Sequence, residues 1–150
     1  MDTKIQTAVE RIHQTEGFDL TALALVENEQ NQCVLKWQYL AGNKTNRLRR
    51  IVLRSGKGIA GMVFKIGKPL LVPDVHLFSS SDQLCNFPIV SLEHLESLGA
   101  VPVWHNGRVV GVLLGGFREP NKFTQEQLNQ LQWLAKHAFH TIDGNELMLI

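Results

Sequence analysis

The chain has 150 residues, one domain's worth, and its 44% apolar and 19% charged residues exclude a disordered chain. Its 15 Lys and Arg against 14 Asp and Glu sum to a formal charge of +1, which supplies no electrostatic reason for a nucleic-acid or membrane partner. Two distant cysteines, Cys33 and Cys85, form no CxxC pair, which excludes a disulfide scaffold and argues against a cysteine-built metal centre.

Residues 3–15 read as a helix, because Ile5, Ala8, Val9 and Ile12 share one face and Gly17 ends the run. Residues 18–27 are extended and apolar enough for a central strand. Residues 33–40 form a second strand, with Trp37 and Tyr39 among large residues that suit a pleated surface. A turn over residues 42–46 leads to another extended piece at 48–54. Ser55-Gly56-Lys57-Gly58 is a glycine-rich loop, and residues 59–66 read as a short helix closed by Gly67. A short strand at 69–75, an irregular stretch at 76–87 and a helical turn or two at 89–97 follow.

Residues 100–105 and 108–117 flank Asn106-Gly107, the dipeptide of a two-residue type I′ hairpin. Pairing His105 with Arg108 sets Pro102 opposite Gly111, and a proline there implies an edge position or a bulge. The last helix starts at an N-cap Thr124 with Gln127 as capping-box partner and Phe123 and Leu128 as a hydrophobic staple. Leu128, Leu131, Leu134, Ala135, Ala138 and Ile142 form its buried stripe. The expected fold is α+β: a single domain over residues 1–150, with a mostly antiparallel central sheet and the N- and C-terminal helices packed on one face. No signal peptide and no membrane span is visible, so the expected compartment is the cytosol.

Residues 53–75, Leu-Arg-Ser-Gly-Lys-Gly-Ile-Ala-Gly-Met-Val-Phe-Lys-Ile-Gly-Lys-Pro-Leu-Leu-Val-Pro-Asp-Val, resemble the "GxGIAGxVxxTGxPxxxxDV" pattern of the GAF family of ligand-sensing domains. Residues 99–103 and 107–113 match that family's second signature. The resemblance covers nearly the whole chain and is specific for the fold, whereas GAF domains bind many ligands on one scaffold. A short single-domain chain with Trp37-Gln38-Tyr39 ahead of Gly42-Asn43 is most similar to the nitrate-receptor branch of the family. That likeness implies nitrate as ligand and a partner sensor histidine kinase of a two-component system controlling nitrate respiration. It also implies a homodimer, no cofactor and no catalysis. The pocket it implies is made of Trp37, Leu53, Ile59, Ala60, Phe87, Pro88 and Ile89, while Arg54 departs from the apolar residue the family pattern favours beside Leu53.

These residue types suit a weakly hydrated anion. A helix start offers amides with no partner inside the helix and a partial positive charge. Gly56, Gly58, Gly61 and Ala60 would let a ligand approach that backbone closely. The amides of Ile59, Ala60 and Ile89 and the indole N–H of Trp37 are the natural donors. An apolar lining without Arg or Lys at its base disfavours strongly hydrated phosphate and is less costly for nitrate.

Plainer readings stand beside these. The glycines also serve a tight strand-to-helix turn, and no acidic residue follows them as a dinucleotide site requires. Trp37 equally suits sheet packing, Lys57 a solvated loop, and residues 87–89 the anchor of a loop end. His137 and His140 have no third metal ligand, His76, His94 and His105 stand alone, and Trp133 borders the last helix's stripe. The alternative function is that of the GAF-type free methionine-(R)-sulfoxide reductases, with Cys85 as the attacking thiol. Those enzymes also place a cysteine in the helix that begins at Ile59, where this chain has none. Bilin attachment would need a Cys-His pair, which the chain lacks, and Asn121-Lys122-Phe123 echoes a cyclic-nucleotide motif only superficially.

Overall fold

A computed structural model describes residues 3–77 and 87–139. The elements run α1 (Thr3–Glu16), β1 (Leu20–Glu29), β2 (Gln32–Ala41), a 3-10 turn (Arg47–Arg50), β3 (Val52–Arg54) and α2 (Gly58–Ile66), continuing with β4 (Leu70–Val72), α3 (Pro88–Glu93), β5 (Ser97–His105), β6 (Arg108–Phe117) and α4 (Gln125–His137). All six strands join one antiparallel sheet in the order β3-β2-β1-β6-β5-β4. The two central strands are buried on both faces, which is why residues 20–26 are an unbroken buried run.

Each face of the sheet carries its own core. Leu20, Ala22, Ala24 and Val26 of β1 face one side, which α2 and α3 cover with Ile59, Ala60, Val63, Ile89 and Val90. Leu23 and Leu25 face the other, covered by Ile5, Val9 and Ile12 of α1 and by Leu128, Leu131 and Ala135 of α4. The terminal helices thus share one face, as the periodicity predicts. The Phe18, Phe117 and Phe123 rings close the end of that layer, with centroids 5.3–6.0 Å apart.

Several boundaries differ from the sequence expectation. The piece at 48–54 is mostly a 3-10 turn that buries Leu48, and only residues 52–54 pair as a strand. The strand at 69–75 shrinks to three residues, and α3 stops at Glu93, with His94 left-handed at φ 57°. Residues 97–99 lengthen β5 instead, because Gly99 lies between Leu71 and Gly115 in the ladders. Pro102 faces Val112 rather than Gly111, because a bulge at Val110 shifts the register. β4 pairs only as far as Ala100, so Pro102 also has no strand on its other side in that ladder. The Thr124–Gln127 capping box forms as expected. Cys85, His140 and Ile142 lie outside the described residues.

Candidate functional site

β2 delivers Trp37 to the α2/α3 face through an irregularity in the strand. Leu23 faces Tyr39 and Ala24 faces Trp37, so Gln38 is an extra residue in the ladder. Strict alternation would put Trp37 and Tyr39 on one face; the bulge sends Trp37 to one core and Tyr39 to the other. Trp37 is only 1% exposed, and among the described residues its Nε1 finds no hydrogen-bond acceptor. A buried donor without a partner costs about 1–3 kcal/mol and requires an explanation.

The start of α2 lies in the same cluster. Gly56 N–H donates to Gly61 O at 2.7 Å and Lys57 N–H to Arg54 O at 2.9 Å, so the glycine loop folds back onto the helix it precedes. A Cβ on Gly61 would stand 2.3 Å from Arg54 O, so no larger residue fits there. Gly58 is left-handed at φ 67°, with the Leu53 side chain packed against it. The N-cap is Lys57, and no side chain caps the helix. The contrast with α4 is direct: there Thr124 Oγ1 accepts from Gln127 N–H at 3.2 Å. The first-turn amides of α2 therefore have neither a helical nor a side-chain acceptor, while Ile59 and Ala60 are fully buried.

Of the seven residues expected to line a pocket, Trp37, Ile59, Ala60 and Ile89 are buried in this one cluster, and Leu53 and Phe87 pack on it half-buried. Pro88 is exposed. It occupies the first turn of α3, where a missing N–H costs nothing, and the chain turns inward only at Ile89. Arg54 does not interrupt the apolar wall. It alternates with Leu53 on β3 and is exposed. Lys57 is exposed, Trp133 is 55% exposed and stacks on His137, and Cys33 is exposed at the start of β2. His76 reaches Glu96 at 3.1 Å, and among the described residues no cluster of His, Cys, Asp and Glu could hold a metal.

Sequence reasoning missed the polar joint that holds α3 in place. The Glu93 side chain is fully buried. Its Oε1 accepts from Lys44 N–H at 2.8 Å and from Arg118 Nη2 at 2.7 Å, and its Oε2 from the amides of Lys44 at 3.0 Å and Thr45 at 3.2 Å. Arg118 Nε also donates to Glu93 O at 2.8 Å, and Arg118 N–H donates to Asp19 Oδ2 at 2.8 Å. One guanidinium thus ties the end of β6 to α3, while the carboxylate ties α3 to the loop after β2. Nearby, His13 Nδ1 lies 3.0 Å from Thr21 Oγ1. Burial lowers the His13 pKa; Asp19 opposes that shift and Arg118 adds to it.

A family model for the GAF domain matches residues 1–143. The chain belongs to the GAF domain family. Among solved structures it is similar to a hypothetical protein, SA1058, from S. aureus, with 37% identity over 79% of this chain and 97% of the other, at a TM-score of 0.71. It is also similar to NreA from Staphylococcus aureus, solved as a variant mutated in the nitrate binding site. That match has 34% identity over 87% of this GAF chain and 99% of the other, at a TM-score of 0.74. A free methionine-R-sulfoxide reductase from Thermoplasma acidophilum shares the fold at 20% identity, covering 91% and 87% of the two chains at a TM-score of 0.71. No curated protein matches. Among the described residues no helix is long and apolar enough to cross a membrane.

Proposed function

We propose that this GAF domain is a nitrate receptor. The anion would bind where the start of α2, the Trp37 indole and the start of α3 meet. It would be held by the N–H groups of Trp37, Ile59, Ala60 and Ile89 and walled by Leu53 and Phe87. The observation that carries the proposal is the buried, acceptor-less Nε1 of Trp37 in the same cluster as an uncapped helix start. The likeness to NreA supports the choice of nitrate. So does the donor set: peptide and indole N–H groups in an apolar cluster suit a planar, singly charged ion that sheds water readily. Three or four charge-assisted bonds of roughly 1.5–3 kcal/mol each, less desolvation and ordering, correspond to micromolar to millimolar affinity. A site in that range empties when supply falls. It catalyses nothing and needs no cofactor.

Occupancy would draw α3 and α2 together across the site and alter the surface read by a partner sensor histidine kinase of a two-component system controlling nitrate respiration. Isothermal calorimetry with nitrate, nitrite, chloride and phosphate tests the ligand. Heat is expected with nitrate and, more weakly, nitrite; silence from all four ends the anion reading.

A further inference from the structure

The near-zero net charge conceals a sharp segregation. Residues 44–68 hold eight of the 15 Lys and Arg and no Asp or Glu, leaving seven cations against all 14 acids elsewhere. Those residues build the 3-10 turn, β3 and α2. β3 is the last strand at one edge of the sheet, the turn adjoins β2 beside it, and α2 reaches from β3 across to β6 and β5. Arg47, Arg50, Arg54, Lys57, Lys65 and Lys68 are all exposed, and none pairs with a carboxylate among the described residues. By contrast, Lys36 on the neighbouring strand meets both Glu27 and Glu29.

Apolar side chains stand among these cations. Ile66, the last residue of α2, is 63% exposed, and Trp104 is 55% exposed. Trp104 lies beside Gly67, where an added Cβ would be 3.4 Å from its ring. On the same helix, Lys65 folds toward the glycine loop, with its Nζ 3.7 Å from where a Gly56 Cβ would be. The surface thus has an aromatic and aliphatic centre flanked by Lys65 and Lys68, with further unpaired cations extending along α2 toward β3. That is the anatomy of a protein interface, with an aromatic anchor and a charged rim.

We propose that the outer surface of α2 and the adjoining end of β5, centred on Ile66 and Trp104, docks an acidic protein face in which carboxylates surround one or more apolar side chains. The unpaired cations complement such a face and would steer its approach, and the arginines can grip carboxylates bidentately. A nucleic acid fits less well: phosphate tracking needs no apolar centre, and one exposed aromatic makes no stacking platform. A membrane surface would ask for a broader apolar face than Ile66 and Trp104 provide. The surface lies on the helix that supplies Ile59 and Ala60 to the inner cluster, so ligand and partner would share one structural unit. The docking proposal does not require nitrate to be the ligand.

The test uses the full chain and a dye-labelled acidic peptide with one central leucine, followed by fluorescence anisotropy without nitrate. Saturable binding that weakens as salt rises from about 0.05 M to about 0.2 M is expected. Lys65→Glu/Lys68→Glu should weaken it at least about tenfold, and Trp104→Ala about threefold or more. Arg11→Glu/Lys136→Glu makes the same change in net charge on the opposite face and should stay within about twofold of the parent. No binding at low salt, or equal loss in both double variants, overturns the proposal. Duplex DNA or phosphatidylserine vesicles held more tightly than the peptide at the same ionic strength overturn the choice of a protein partner.

Discussion

Replacing Glu93 with alanine removes one carboxylate, leaves the amides of Lys44 and Thr45 without an acceptor, and strips Arg118 Nη2 of its ion-pair partner, leaving it only Gly42 O at 3.3 Å. Breaking a buried ion pair from one side costs roughly 3–5 kcal/mol. Arg118 keeps 24% of its side chain exposed and still donates to the carbonyl of residue 93, so water can satisfy part of what is lost. The lower end, about 3 kcal/mol, is the better value, and for a domain of this size it lowers Tm by about 6–12 °C. Glu93→Gln keeps an acceptor for the two amides but turns an NH2 toward the guanidinium, so about half that loss is expected. Thermal and urea unfolding of Glu93→Ala, Arg118→Ala and the double variant give the coupling energy, expected near 2 kcal/mol. A Tm change under about 2 °C for Glu93→Ala, or no coupling, would refute the view that this pair fastens α3 to the sheet.

The remaining predictions concern the inner cluster and its border. Trp37→Ala is expected from sequence to weaken ligand binding more than folding. With the ring fully buried, however, that truncation should cost about 3–5 kcal/mol of stability and cannot separate the two. Trp37→Phe removes the orphan N–H while keeping most of the ring. Stability should stay within about 1.5 kcal/mol by urea unfolding while calorimetric nitrate affinity falls about tenfold; unchanged affinity would return Trp37 to packing alone. Gly61→Ala forces a Cβ against Arg54 O, so it should lower stability by about 2 kcal/mol or more and abolish nitrate heat at a temperature where circular dichroism shows the chain still folded. The His13 shift sets a pH dependence. Because its folded pKa lies below 6.5, the unfolded chain takes up the proton first as pH falls. This contribution to stability is whole above the ordinary imidazole range and declines as pH drops through it toward the lower folded value. Melting curves at about pH 7.5 and about pH 5.5 should therefore show a smaller acid-side loss in His13→Gln than in the parent.

Local patterns in the chain were enough for much of the architecture. Helical spacing in residues 3–15 and 125–137, the Asn-Gly turn, the Thr124 capping box and the glycine-loop words are all set by near neighbours, so they are legible without coordinates. The apolar runs likewise announce central strands. Residues 48–54 were harder, because a 3-10 turn and a three-residue strand are each too short to impose a period. Of the expected lining residues, Pro88 alone is exposed, since its first-turn place leaves the ring outside the cluster.

What the sequence alone could determine, then, is which segments become helices and strands and which family words they carry. It could not determine which way Trp37 faces. That is decided by a one-residue bulge in the β1–β2 ladder, and a register shift is a property of two strands together. Nor could it join Glu93 to Arg118, which lie 25 residues apart and meet only because the end of α3 packs against the end of β6. The meeting of Trp104 on β5 with the basic segment 44–68 at Gly67 likewise arises only in the folded sheet. Periodicity reports the near neighbours of each residue; bulges, buried ion pairs and surface charge depend on distant segments that only the closed fold brings together.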